Sequence, residues 1–184
     1  MKKLNIIVLV LIAAALLVGA APWTSRQEKA HKIADIARDM GLPEDSAIIT
    51  EASRLWWAET EDCRILANVV AHEAPYCSDR HQELVAQVVL NRVADERFPD
   101  SVREVVEQPG QYHWTYTQNL PSYADANDVM RRCFDAAIRA LMGEVECPAD
   151  VIYQSEFPAL GAGTYEAITV NTGYHRSTTY FNFG

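Results

Sequence analysis

Ser78-Asp79-Arg80-His81-Gln82-Glu83-Leu84-Val85-Ala86-Gln87-Val88-Val89-Leu90-Asn91-Arg92-Val93 is the stretch whose reading decides the fold. Leu84, Val85, Val88, Val89 and Val93 recur at three- and four-residue intervals, which predicts an α-helix with one strongly apolar face. Ser78 or Asp79 supplies the side-chain oxygen that caps its first turn. A helix this apolar needs other elements to cover it, and the flanking sequence provides them. Just upstream, Ile65, Leu66, Val69 and Val70 predict a second helix, for which Thr60 is a candidate cap, running into Ala71-His72-Glu73-Ala74-Pro75. Pro75 disfavours a helical conformation at Ala74, so Glu73 is expected at a helix end.

Further out, residues 43–57 can form another helix, and residues 25–40 a lead-in helix with Ile33, Ile36, Ala37 and Met40 at helical spacing before Gly41. Downstream, Ser101 and Glu104 have capping-box spacing and open a short helix that stops before Pro109-Gly110. Gln111-Tyr112-His113-Trp114-Thr115-Tyr116 follows as an aromatic, polar loop. Residues 125–142 predict a helix with Phe134, Ala137, Ile138 and Leu141 inward and Gly143 as its stop. In the last third, Val151-Ile152-Tyr153 and Thr178-Thr179-Tyr180-Phe181 are β-formers, and glycines lie between them, which predicts a small antiparallel sheet. The fold class is therefore α+β, mainly helical with a small C-terminal antiparallel sheet.

The chain begins with Lys2 and Lys3, continues apolar from Leu4 to Val18 and leaves through Gly19-Ala20-Ala21. This is the layout of a secretory signal, although its length is also nearly that of a membrane span, so a cleaved signal peptide and an N-terminal anchor both stay open. Either places residues from Trp23 onward outside the cytoplasm, secreted or membrane-anchored. The expected organisation is 1–21 signal or anchor, 22–62 helical lead-in and 63–184 catalytic domain. Without the segment about 163 residues are left, enough for one sizeable core. Formal charge is −9, and −11 once Lys2 and Lys3 are removed, which disfavours nucleic acid and anionic membrane as partners. Membrane contact is expected only through the N-terminal segment. Cys63, Cys77, Cys133 and Cys147 suit an oxidising compartment and predict at least one disulfide, with Cys133–Cys147 favoured over Cys63–Cys77 because the exit after Gly143 is long enough to return along a helix. No CxxC spacing is present, and no metal or cofactor is expected.

The order of a helix ending in Glu73, an apolar helix carrying Val88-Val89-Leu90-Asn91-Arg92-Val93, then Arg97-Phe98-Pro99 and Gln108-Pro109-Gly110-Gln111-Tyr112, resembles the SleB/CwlJ-type cell-wall hydrolases over about residues 63–184. That family commonly carries Gly-Glu-Ala-Arg around its catalytic glutamate, where this chain has His72-Glu73-Ala74-Pro75. The resemblance implies a mainly helical, lysozyme-like domain that cuts peptidoglycan glycan strands, with spore-cortex-lytic enzymes of sporulation and germination among its members. It implies Glu73 as the catalytic acid. A glutamate can protonate a departing glycosidic oxygen near neutral pH when an apolar setting raises its pKa. Most glycosidases need a second carboxylate, and Asp79, Glu83, Asp95, Glu96 and Asp100 all stand in cap or surface contexts. The resemblance offers lytic transglycosylation instead, in which the muramoyl 6-hydroxyl attacks and a single glutamate serves as acid and then base.

Gln108, Gln111, Tyr112, Trp114 and Tyr116 combine amides with aromatic faces, which suits sugar hydroxyls and C–H faces. Gln111 and Tyr112 match the family motif. For Trp114 and Tyr116 an ordinary loop with tucked aromatics fits equally well, and Tyr180-Phe181 resembles the family's terminal aromatic pair or serves a β-core. Three rival readings also have a foothold in the residues. His72-Glu73 begins like the zinc peptidase motif HExxH, but position 76 is Tyr76. Cys77 near His81 suggests a thiol nucleophile only by proximity. A non-catalytic glycan-binding module would need the aromatic loop and not Glu73.

Overall fold

The computed structural model describes residues 47–184, apart from 159, 172, 174 and 175. The expectations for residues 1–46, including the N-terminal segment and the lead-in helix, lie outside the described residues. Two compact units divide at Thr60/Glu61. Helix α1 (Ala47–Ala58) belongs to the first, and within it the rings of Trp56 and Trp57 meet edge to face at 4.6 Å.

The second unit contains α2 (Glu61–Glu73), α3 (Asp79–Ala94), α4 (Val102–Glu107), a 3-10 turn (Trp114–Thr117), α5 (Asp128–Leu141) and the strands β1 (Val151–Ser155), β2 (Gly163–Asn171) and β3 (Arg176–Phe183). It is α+β, as the sequence predicted. Helix α3 starts where its cap lies: the Ser78 hydroxyl accepts from the His81 backbone N–H at 3.3 Å. Likewise the Ser101 hydroxyl accepts from Glu104 N–H and donates to the Glu104 carboxylate at 2.8 Å, which opens α4. Helix α5 begins three residues later than expected, because the Asn127 side chain, accepting from Met130 N–H at 2.9 Å, is the cap.

Helices α2, α3 and α5 pack on one another, and α3 also meets β1. Leu66, Val69 and Val70 from α2, Leu84, Val88 and Val89 from α3, and Phe134, Ile138 and Leu141 from α5 are all fully buried between them. Burying such a side chain contributes about 1.5–3 kcal/mol each, so this three-helix core is the main source of stability. The sheet has the order β1-β3-β2 and is antiparallel throughout, with Gln154 opposite Phe181 and Ala167 opposite Tyr180. Strand β2 adds a third member beyond the two segments the sequence marked.

The sheet is fastened to α3 by buried polar groups. Asn91 donates to the carbonyls of Pro148 and Val151 at 2.8 and 2.9 Å, and Arg92 Nε donates to the Ile152 carbonyl at 2.6 Å. Arg80 adds a half-buried pairing with Glu166 of β2 at 2.7 Å.

The disulfide expectation is corrected: none of the four cysteines forms one. Cys133 meets the Gln82 amide at 3.8 Å, whereas Cys147 meets the Asn91 amide at 3.8 Å. Positions 82 and 91 are separated by about 13.5 Å along α3, so the two thiols are held at different levels of one helix. The chain leaving α5 does turn back after Gly143, but it delivers Cys147 to the wrong end for a bond.

Candidate active site

Helix α2 stops at Glu73 for two reasons. Pro75 cannot continue it, and the fully buried Gln82 of α3 donates to the Ala74 carbonyl at 2.9 Å, satisfying an acceptor that the helix end leaves open. The Glu73 carboxylate thereby projects from a helix terminus whose position is fixed by the neighbouring helix.

It projects into a cleft of about 520 Å³. His81, Val85 and Arg92 form the helical wall, four, seven and eleven residues apart and so on one face of α3. The loop after α4 contributes Gln111 and Tyr112, and the sheet side contributes Tyr153, Gln154, Ser155 and Glu156 together with Ser177 and Thr179 of β3.

Two neutral donors reach Glu73. Gln154 Nε2 lies 3.4 Å from Oε2, and the Tyr116 hydroxyl hydrogen-bonds to the carboxylate. Tyr116 is in turn held by a polar stripe on α2 at helical spacing. His72 stacks on its ring at 4.4 Å with planes 8° apart, Asn68 donates to its carbonyl at 3.0 Å, and Arg64 donates to the carbonyls of Leu120 and Pro121, both at 2.7 Å. Positions 64, 68 and 72 thus tie the aromatic loop down along one helix.

Loss of hydration raises the Glu73 pKa above the ordinary carboxylate value, and the Tyr116 hydrogen bond and the nearby His72 partly offset this. The side chain is exposed where it lines the cleft. A raised carboxyl of this kind can hold a proton to give away.

Of the residues the sequence proposed, Glu73, Gln111 and Tyr112 line the cleft, and Tyr116 sits behind Glu73 as its hydrogen-bond partner. Gln108 does not line it; it ends α4, half-buried. Trp114 is 62% exposed and stands outside it beside His113. Tyr180 faces away, because Ser177 and Thr179 line the cleft and alternate strand residues point to opposite sides.

The structure also brings in Arg92, Gln154 and Glu156, which the sequence did not offer as site residues. Arg92 left a signal, a cation inside an apolar helical run. Gln154 and Glu156 left none.

The carboxylates considered as second groups are engaged elsewhere: Asp79 pairs with Arg132 at 2.8 Å, Glu83 with Arg139 at 2.7 Å and Asp95 with Arg97 at 2.6 Å. Glu96 and Asp100 are exposed and do not line the cleft. Glu156, exposed at the exit of β1, is the other glutamate that lines it.

The rivals fare poorly on geometry. Position 76 is a tyrosine 80% exposed beyond the end of α2, so no helical pair with His72 forms. Burial raises the Cys77 thiol and lowers the His81 pKa, the reverse of a poised thiolate beside a charged imidazole.

No curated protein and no solved structure matches the chain. One family model, described as Cell Wall Hydrolase, matches residues 78–156, a span that contains α3, the Gln111-Tyr112 loop, Gln154 and Glu156 and begins five residues after Glu73. This segment, which builds most of the cleft wall, is thus similar to the SleB/CwlJ family of cell wall hydrolases.

Proposed function

We propose that this protein cleaves the glycan strands of peptidoglycan outside the cytoplasm, with Glu73 as the acid that protonates the departing oxygen. The observation that carries the reading is the Glu73 carboxyl at a fixed helix end, raised in pKa by loss of hydration and facing a cleft lined with amides, hydroxyls and aromatic rings. In the finer reading the enzyme is a lytic transglycosylase. The muramoyl 6-hydroxyl, already held within the bound strand, attacks the anomeric carbon, and the Glu73 carboxylate left after proton donation accepts the hydroxyl proton.

Glu156 supports a second reading, hydrolysis, in which it activates water from across the cleft. Product chemistry separates the two. Mass spectrometry of a digest should find muropeptides ending in 1,6-anhydro-muramic acid, lighter by one water and resistant to borohydride, and Glu156→Gln should leave these products and most of the rate. Reducible ends alone, together with loss of activity in Glu156→Gln, would assign the reaction to water.

Tyr116 provides a pH test of Glu73. Its hydrogen bond holds the Glu73 pKa down, so Tyr116→Phe raises that pKa further and keeps the acid protonated to higher pH. The alkaline limb of the rate profile should therefore move upward in pH. A limb that stays in place or moves down would show that another group is titrating.

A further inference from the structure

Arg92 is 3% exposed, yet no carboxylate pairs with it among the described residues. Burying a cation costs several kcal/mol unless something replaces its hydration. Here three aromatic rings do so in part: its guanidinium carbon lies 5.5 Å from the ring centre of Phe98, 5.7 Å from Tyr112 and 6.0 Å from Tyr153. Ring faces stabilise the charge without using its N–H groups. Nε donates to the Ile152 carbonyl, while Nη1 is buried with no partner. Guanidinium carries five N–H donors, and the two on Nη1 are left unused. The Tyr112 hydroxyl is in the same condition, buried and without a partner, and loss of hydration pushes its pKa up to about 12, so it stays a donor. Both residues line the cleft, and Tyr112 lies within electrostatic reach of both Arg92 and Glu73. A cation and a neutral donor left unsatisfied side by side call for an acceptor oxygen that carries negative charge or a strong dipole.

We propose that Arg92 and Tyr112 form a subsite beside Glu73 that takes the carboxyl oxygens of the lactyl ether of a muramoyl sugar. This rests on the glycan-cleaving reading, since the lactyl carboxyl is the group that distinguishes the muramoyl unit from N-acetylglucosamine in the strand. The oxygen comes either from the free carboxylate or from the carbonyl of the amide that joins it to a stem peptide; the two share acceptor chemistry. The subsite makes the enzyme register-specific, because a strand shifted by one sugar leaves both donors unpaired, a penalty that binding sites use to reject analogues.

The test is binding of N-acetylmuramic acid, N-acetylmuramoyl dipeptide and N-acetylglucosamine to the full chain and to its Tyr112→Phe and Arg92→Met variants, followed by NMR titration, with glycan cleavage measured in parallel. Native protein should bind N-acetylmuramic acid about tenfold or more tightly than N-acetylglucosamine. That preference should collapse in Tyr112→Phe with no fall in unfolding temperature, because the lost hydroxyl has no protein partner; a purely structural role would leave the preference intact. Arg92→Met should lose it as well where the variant folds. Binding of the dipeptide as tightly as the free acid identifies the carbonyl as the oxygen taken, and binding of the free acid alone identifies the carboxylate. Equal or absent binding of both sugars, or a preference that survives Tyr112→Phe, overturns the subsite. If cleavage continues in that case, the Glu73 reading stands without it; if native protein does not cleave glycan, the underlying reading has failed instead.

Discussion

Glu73→Gln should lower the rate of glycan cleavage by about 10²–10⁴-fold, the range that a positioned general acid contributes, while the protein keeps its fold and its affinity for the strand. The substitution preserves size and leaves an acceptor oxygen for Gln154 and Tyr116, but it removes the proton that the leaving oxygen needs. Near-native turnover in this variant would remove Glu73 from the chemistry. Because α2 is terminated by Pro75 and by the Gln82 amide on Ala74 rather than by the glutamate itself, loss of activity through unfolding is not expected. Circular dichroism on the same sample checks that point.

The second large effect concerns stability. Asn91 is 5% exposed, donates to the Pro148 and Val151 carbonyls and accepts from Gln87 Nε2 at 2.9 Å. Asn91→Leu keeps the number and branching of side-chain heavy atoms and deprives two carbonyls, at least one of them buried, of their donor, at about 1–3 kcal/mol each. The unfolding temperature should fall on the order of 10 °C. Thermal melting decides it, and a change under a degree or two would show that water replaces the amide at no cost. Function follows from the same bond, because β1 carries Gln154 into the cleft and Glu156 follows directly after that strand.

Much of this organisation was legible in the sequence because it is local. The Ser78 cap, the apolar period through Val93 and the proline after Glu73 act within one or two turns of chain, and they placed α3 and the end of α2. The resemblance then singled out Glu73, Gln111 and Tyr112, all of which the fold gathers into one cleft. What escaped depends on contacts distant in sequence. Strand β2 has no buried position to impose an apolar alternation, so its pattern is weak. Gln154 meets Glu73 across 81 residues through the register of β1 on β3, which no spacing rule encodes. Tyr116 read as a loop aromatic with two equal roles, and its task of holding Glu73 emerges only with the stripe of Arg64, Asn68 and His72 beneath it. The cysteines misled for a similar reason: chain length permits a return along α5, but which level of α3 the returning chain meets is a tertiary matter.

The most direct test of the account is the length distribution of glycan strands from purified peptidoglycan, measured by chromatography after the protein has acted and the stem peptides have been removed. Strands should shorten progressively with time in the native digest and stay at full length with Glu73→Gln. Protein that binds the wall while the native digest leaves strand length unchanged would contradict the account and make this chain a glycan-binding module.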